Sequence, residues 1–121
     1  MYNPEKYHNS LGPDDSLMWE GWDLDKTLAE QVWPEPGIGK PIKQSVDYLK
    51  QRAELGYKPI IFTSRASSEY KDIAQWLDDH DIPFKWIITG KPLMNRYYDD
   101  KNFFLPWVNK EENTTNLTID E

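Results

Sequence analysis

The chain contains no cysteine. Disulfide staples, thiolate zinc sites, iron–sulfur ligation and cysteine nucleophiles are excluded with it. Histidine is nearly as scarce. His8 and His80 stand far apart and share no ligand spacing, so a histidine-built metal site is not expected. Positive charge is also short: 14 Lys and Arg stand against 21 Asp and Glu, a net charge of −7. A non-specific grip on nucleic-acid backbone needs clustered cations, and this balance argues against it while leaving room for a local basic pocket. No apolar run approaches the roughly 20 residues of a membrane span, so no membrane partner is expected. Residues 1–16 are polar and carry no signal-peptide core, which makes a soluble cytoplasmic protein the expectation. Hydrophobic residues make up only 38% of the chain, yet 14% are aromatic and six are Trp, so rings must supply much of the core. A length of 121 residues predicts one domain that can bury a core without staples.

Residues 1–16 read as an arm or loop, residues 17–108 as the folded core, and residues 109–121 as a polar tail. Leu117 and Ile119 alternate with polar residues there, a pattern compatible with a late edge strand. Met18 to Asp23 forms a short mixed run, interrupted by Glu20 and Gly21, that ends in acidic residues. Pro34, Pro36, Gly37, Gly39 and Pro41 mark a loop. Pro41 suits a first helical position, Ile42, Val46, Leu49 and Ala53 share one helical face, and Gly56 suits a C-terminal cap. Lys58 to Thr63 is short, apolar and β-branched, as a buried parallel strand should be. Ser67 and Ser68 can open a second helix whose face is Tyr70, Ile73, Ala74 and Leu77, with Pro83 beyond its end. Phe84 to Thr89 predicts a third strand and Arg96 to Asp99 a short fourth. This alternation predicts an α/β fold, a three-layer Rossmann-like sandwich on a mainly parallel sheet of four strands.

In open parallel sheets, chemistry gathers at the carboxyl ends of the strands. The expected strand ends carry Asp23 and Asp25, then Thr63, Ser64 and Arg65, then Lys91, then Asp99 and Asp100. Two facing acidic pairs cannot all stay ionised at close range without a cation, and Mg²⁺ suits all-oxygen ligands. A metal, a nucleophilic carboxylate, a second carboxyl and a lysine are equipment for phosphoryl transfer.

These residues resemble the haloacid dehalogenase superfamily of phosphohydrolases. The family's first motif, Asp-x-Asp-x-Thr, matches Asp23-Leu24-Asp25-Lys26-Thr27. Its second, an apolar strand ending in Thr or Ser, matches Ile60-Ile61-Phe62-Thr63. Lys91 is the best-placed third-motif lysine, and Asp99-Asp100 supplies the acidic pair of the fourth. The resemblance covers residues 17–101. Neither interval between motifs has room for a cap domain, so the chain looks like a small capless member of the kind found in bacteria and phages. The expected setting is therefore the cytoplasm of a bacterium or a phage-infected host. The stretch Pro36-Gly37-Ile38-Gly39-Lys40-Pro41 is similar to a loop of such members. Three features depart from the pattern: Lys26 stands where Gly is common, Glu20 interrupts the first strand, and Lys91 directly follows a strand instead of sitting on a helix.

By this resemblance Asp23 attacks phosphorus, while Asp25 protonates the leaving oxygen and then activates water. Thr63 holds a phosphoryl oxygen and Lys91 neutralises charge. Mg²⁺ is held by Asp23, the Asp25 carbonyl and Asp99, with Asp100 as an inner or outer second ligand. Lys26, Ser64 and Arg65 are candidate substrate contacts, a surface salt bridge being at least as strong a reading for Arg65. Trp19, Trp22, Trp76 and Trp86 are expected in the core. Trp33, Tyr97, Tyr98 and Trp107 lie near loops or strand ends, where packing is favoured over stacking on a base. The implied substrate is a phosphomonoester, a small phosphate ester or nucleotide ranking above a polynucleotide end, and a second copy of the chain could cover the open cleft. Two other readings stand beside this one: a catalytically inactive interaction module on the same fold, and a receiver-like phosphoacceptor.

Overall fold

The computed structural model describes residues 18–94 and 96–108. The arm, the polar tail and the late edge strand expected at Leu117 and Ile119 lie outside them. The elements run β1 (Trp19–Trp22), α1 (Lys43–Glu54), β2 (Lys58–Phe62), a 3₁₀ turn (Ser67–Glu69), α2 (Tyr70–Asp79) and β3 (Trp86–Ile88). The strands form one parallel three-stranded sheet in the order β1-β2-β3. An open parallel α/β architecture is thus present. No helix among the described residues is long and apolar enough to cross a membrane.

Register explains the core. Trp22 pairs with Ile61 and Ile61 with Ile87, so one row of side chains crosses all three strands on one face. That row joins Val46 and Leu49 of α1 and Ile73, Trp76 and Leu77 of α2 in a single buried cluster. Both helices therefore cover the same face. Two crossovers that step in the same direction with the usual right hand produce this arrangement. The described residues amount to two layers of the expected three.

The helix ends follow from local chemistry. α1 starts later than Pro41 suggests, because the Ile42 N–H donates to the Leu28 carbonyl at 2.8 Å and Ile42 stays extended. It stops at Leu55, with Gly56 at φ +103°. The Gly56 N–H then reaches the Ala53 carbonyl at 3.0 Å and the Tyr57 N–H the Arg52 carbonyl at 3.2 Å, the paired bonds of a Schellman cap. Glu20, awkward in an apolar strand, is answered by Arg52 of α1, whose Nε lies 3.0 Å from Oε2.

The expected fourth strand is not formed. Residues Arg96 to Asp99 are irregular. A strand needs a ladder, and no described strand lies along the free edge of β1. The polar groups there bond locally instead: the Tyr97 hydroxyl donates to the Pro92 carbonyl and the Asn102 amide to the Tyr97 carbonyl. Beyond this stretch the chain returns to α1, where Leu105 is buried and the Trp107 indole donates to the Ser45 hydroxyl at 2.8 Å.

Candidate active site

Three strand ends meet at the carboxyl edge of the sheet. After β1 the chain turns sharply over buried Leu24, whose carbonyl accepts the N–H groups of Thr27, Leu28 and Ala29 at 3.2, 2.9 and 2.9 Å. Asp23 is left at the lip. Its Oδ1 accepts the Leu24 N–H at 2.8 Å, and its Oδ2 lies 3.9 Å from Lys91 Nζ. Burial pushes the Asp23 carboxyl above its ordinary value, against the pull of Lys91 and of the Leu24 N–H.

Lys91 reaches this position without a helix. The Thr63 N–H donates to the Ile88 carbonyl at 2.9 Å, the Gly90 N–H to Arg65 at 3.0 Å and the Lys91 N–H to Thr63 at 2.9 Å. These bonds knit the exits of β2 and β3 together past the end of the sheet. The ammonium then sits near two rings, 5.2 Å from the centre of Phe62 and 4.9 Å from that of Tyr97. Thr63 is buried at the floor, its hydroxyl accepting the Arg65 N–H at 3.2 Å. A hydroxyl that accepts one bond still carries a proton it can donate.

Asp25 departs from its expected free position at the leaving group. Both of its oxygens are taken by Arg65, with Nε to Oδ2 at 2.8 Å and Nη2 to Oδ1 at 2.8 Å. The same guanidinium donates to Glu69 at 2.8 Å and to the Gly37 carbonyl at 2.9 Å. Arg65 is thus the hub of the site rather than a surface pair, and Asp25 first among its partners holds its pKa above the ordinary value. Lys26 is exposed with φ +67°, the left-handed conformation that favours glycine at this turn.

Asp99 and Asp100 are not drawn into the lip. Both are exposed: Asp99 Oδ1 accepts the Lys101 N–H at 3.0 Å, and Asp100 lies 3.6 Å from Lys101 Nζ. The Lys101 N–H, with the Asp100 side chain, holds the Asp99 carboxyl below its ordinary value. Among the described residues no group of three His, Asp or Glu is gathered that could hold a metal ion. Asp99 and Asp100 are held in their own turn by Lys101, so the expected Mg²⁺ ligands Asp23, the Asp25 carbonyl, Asp99 and Asp100 are not gathered into a site that fits the ion.

A cavity of about 600 Å³ opens beside Asp23, lined also by Asp25, Lys26, Ser64, Arg65 and Trp33. One wall is the loop between β1 and α1. Its base is closed by the Glu30 N–H on the Lys40 carbonyl at 2.8 Å and by the Trp76 indole on the Gly39 carbonyl at 3.0 Å. A Cβ on Gly39 would stand 2.1 Å from the Glu30 carbonyl oxygen, so only glycine lets the two arms close. Sequence reasoning missed the role of this loop. Its Pro and Gly content announces a loop, but nothing local says where it folds. Trp33, expected to pack, is exposed at the cavity wall instead.

The fold and the lip together define an open parallel α/β unit with a paired carboxylate and lysine at the carboxyl edge of its sheet. No family model matches the chain, and no curated protein matches it. It is similar to a crystal structure of a target protein from Vibrio cholerae, with a TM-score of 0.59 and 24% identity over 85% of this chain and 98% of that one. The likeness is one of fold.

Proposed function

We propose that the chain is a phosphohydrolase of the haloacid dehalogenase type, a capless three-layer member in which Asp23 is the nucleophile. The observation that carries this reading is the Asp23–Lys91 pair at 3.9 Å beside buried Thr63, three residues from three adjoining strand ends. An Asp23 oxygen attacks phosphorus, the bond from phosphorus to the leaving oxygen breaks, and an aspartyl-phosphate forms. Lys91 offsets the charge gathered on the phosphoryl oxygens, and the Thr63 hydroxyl donates to one of them. Water then attacks the acyl-phosphate, releasing inorganic phosphate and restoring Asp23.

Asp25 is the group for proton transfer, and it needs a free oxygen. Phosphate offers Arg65 the same bidentate acceptor geometry as a carboxylate. A bound phosphoryl group therefore competes for the Arg65 fork and releases Asp25 toward the leaving oxygen. The resemblance also carries a Mg²⁺ requirement. The carboxylates among the described residues do not assemble a site for it.

Phosphate release from sugar phosphates, nucleotides and end-phosphorylated oligonucleotides tests the reading, with wild type and Asp23→Asn run in Mg²⁺ and in chelator. Turnover that needs Asp23 supports it. Equal turnover by Asp23→Asn in clean protein refutes it.

A second reading, an inactive interaction module, is favoured by one observation. Leu93, Met94, Tyr98, Phe103 and Phe104 expose large apolar side chains. Under this reading no substrate in the panel is turned over and Asp23→Asn leaves partner binding intact.

A further inference from the structure

We propose that the cavity beside Asp23 takes a mononucleotide, with its phosphate at Asp23 and its base stacked on Trp33. This deepens the phosphohydrolase reading and rests on it for the phosphate end of the site. The base end rests on separate observations.

Trp33 is 78% exposed, although Trp gains more from burial than almost any other residue. It lines the same cavity as the nucleophile. It is not on a loose strand of chain. Gly39 and Glu30 close the base of the loop, the Trp76 indole holds it from α2, and Arg65 ties its Gly37 carbonyl to the hub that grips Asp25. The ring is therefore presented at a set place relative to the lip. An apolar ring held in the open beside a reacting group is a stacking platform, because every base has a π-face.

The rest of the wall fits the other parts of such a ligand. A volume of about 600 Å³ lies in the range of roughly 300–1,000 Å³ for sites that enclose a drug-sized molecule. Lys26 and Arg65 supply cations on the phosphate side. Gln31, on the same wall, carries an amide that can both donate and accept at a base edge. Glu35 and Glu69 also line the cavity, and the chain has a net charge of −7. Carboxylates there repel further phosphates, which favours a mononucleotide over a di- or triphosphate or an extended strand.

The test uses the full chain carrying Asp23→Asn, which cannot consume its ligand. Calorimetry measures binding of the four nucleoside 5′-monophosphates, of ribose 5-phosphate and of a 5′-phosphorylated oligonucleotide. Adding Trp33→Ala is expected to weaken nucleotide binding roughly 5- to 160-fold, the range for loss of one base stack. Trp33→Phe is expected to restore most of it. Ribose 5-phosphate, which has no base, should not lose affinity in step. A parallel loss for ribose 5-phosphate makes Trp33 a structural part of the loop and overturns the proposal, as does no loss at all. Tighter binding of the oligonucleotide than of any monophosphate overturns the choice of a mononucleotide. Trp33-dependent binding without phosphate release by wild type would keep the nucleotide site and remove the phosphohydrolase reading. Release from ribose 5-phosphate and nucleotides at equal efficiency, with no Trp33-dependent binding, would do the reverse.

Discussion

Removing Arg65 should unsettle the molecule more than removing an ordinary surface arginine. Arg65→Met deletes four hydrogen bonds at once: two to Asp25 at 2.8 Å each, one to Glu69 at 2.8 Å and one to the Gly37 carbonyl at 2.9 Å. The Arg65 and Asp25 side chains are 18% and 23% exposed, so the pair is neither buried nor on the surface. Breaking a buried pair by removing one partner costs about 3–5 kcal/mol, and exposed pairs are worth about 0.2–1 kcal/mol. One-fifth exposure lets water reach the abandoned carboxylate, which places the loss between these limits, at about 2–3 kcal/mol. With an m-value of about 1–3 kcal/mol/M in urea, the unfolding midpoint should fall by about 0.7–3 M.

A double-mutant cycle separates the fork from the rest. Arg65→Met, Asp25→Asn and the double variant should give a coupling energy of about 1–2 kcal/mol, within the range for directly bonded neighbours. Arg65→Lys should keep the charge and recover less than half, because one ammonium cannot span both carboxylate oxygens. A coupling below about 0.5 kcal/mol would refute the reasoning, since the pair would then behave as if fully screened.

Three further outcomes are expected. Gly39→Ala drives a Cβ to 2.1 Å from the Glu30 carbonyl oxygen, so the loop base must open; a loss of about 1–3 kcal/mol, read by thermal unfolding, is expected, and an unchanged midpoint would contradict it. Lys26→Gly relieves a residue held at φ +67° and should stabilise the fold by about 1 kcal/mol in urea titration while weakening phosphate binding. Asp23→Asn should unfold at higher denaturant than wild type at neutral pH. Burial raises the folded carboxyl above 3.8, so the folded state binds its proton more readily than the unfolded chain. That contribution is full below 3.8 and fades as pH rises through the raised value, so the advantage of the variant should shrink on acidification. An advantage constant from pH 4 to pH 8 would contradict this.

What the sequence made legible was local. The run Lys58–Phe62 is apolar, bounded and too short for a helix, and it is a strand. Gly56 sits where a helix must stop, and it caps α1. Asp23, Thr63 and Lys91 each follow such a strand, so parallel pairing alone brings them to one edge. Arg96 to Asp99 failed for the complementary reason. A short segment with few apolar residues becomes a strand only beside an edge that accepts it, and its neighbours do not encode that edge. The exposure of Asp99 and Asp100 follows, because without the strand nothing carries them to the lip.

The Arg65 hub was illegible for a further reason. It joins residues 40 apart in sequence, and its anchor on the loop is a backbone carbonyl, which no residue type announces. Its effect is to make one guanidinium answer to three elements: the exit of β1 through Asp25, the loop through Gly37 and the approach to α2 through Glu69. Such a hub couples Asp25, the proposed proton-transfer group, to the loop that carries Trp33. A ligand that draws the fork away from Asp25 also loosens Gly37, so chemistry and ligand capture cannot be perturbed independently at this position. Under the proposed function, Arg65→Lys should therefore change both the rate of phosphate release and nucleotide affinity by calorimetry, whereas Trp33→Phe should change affinity alone.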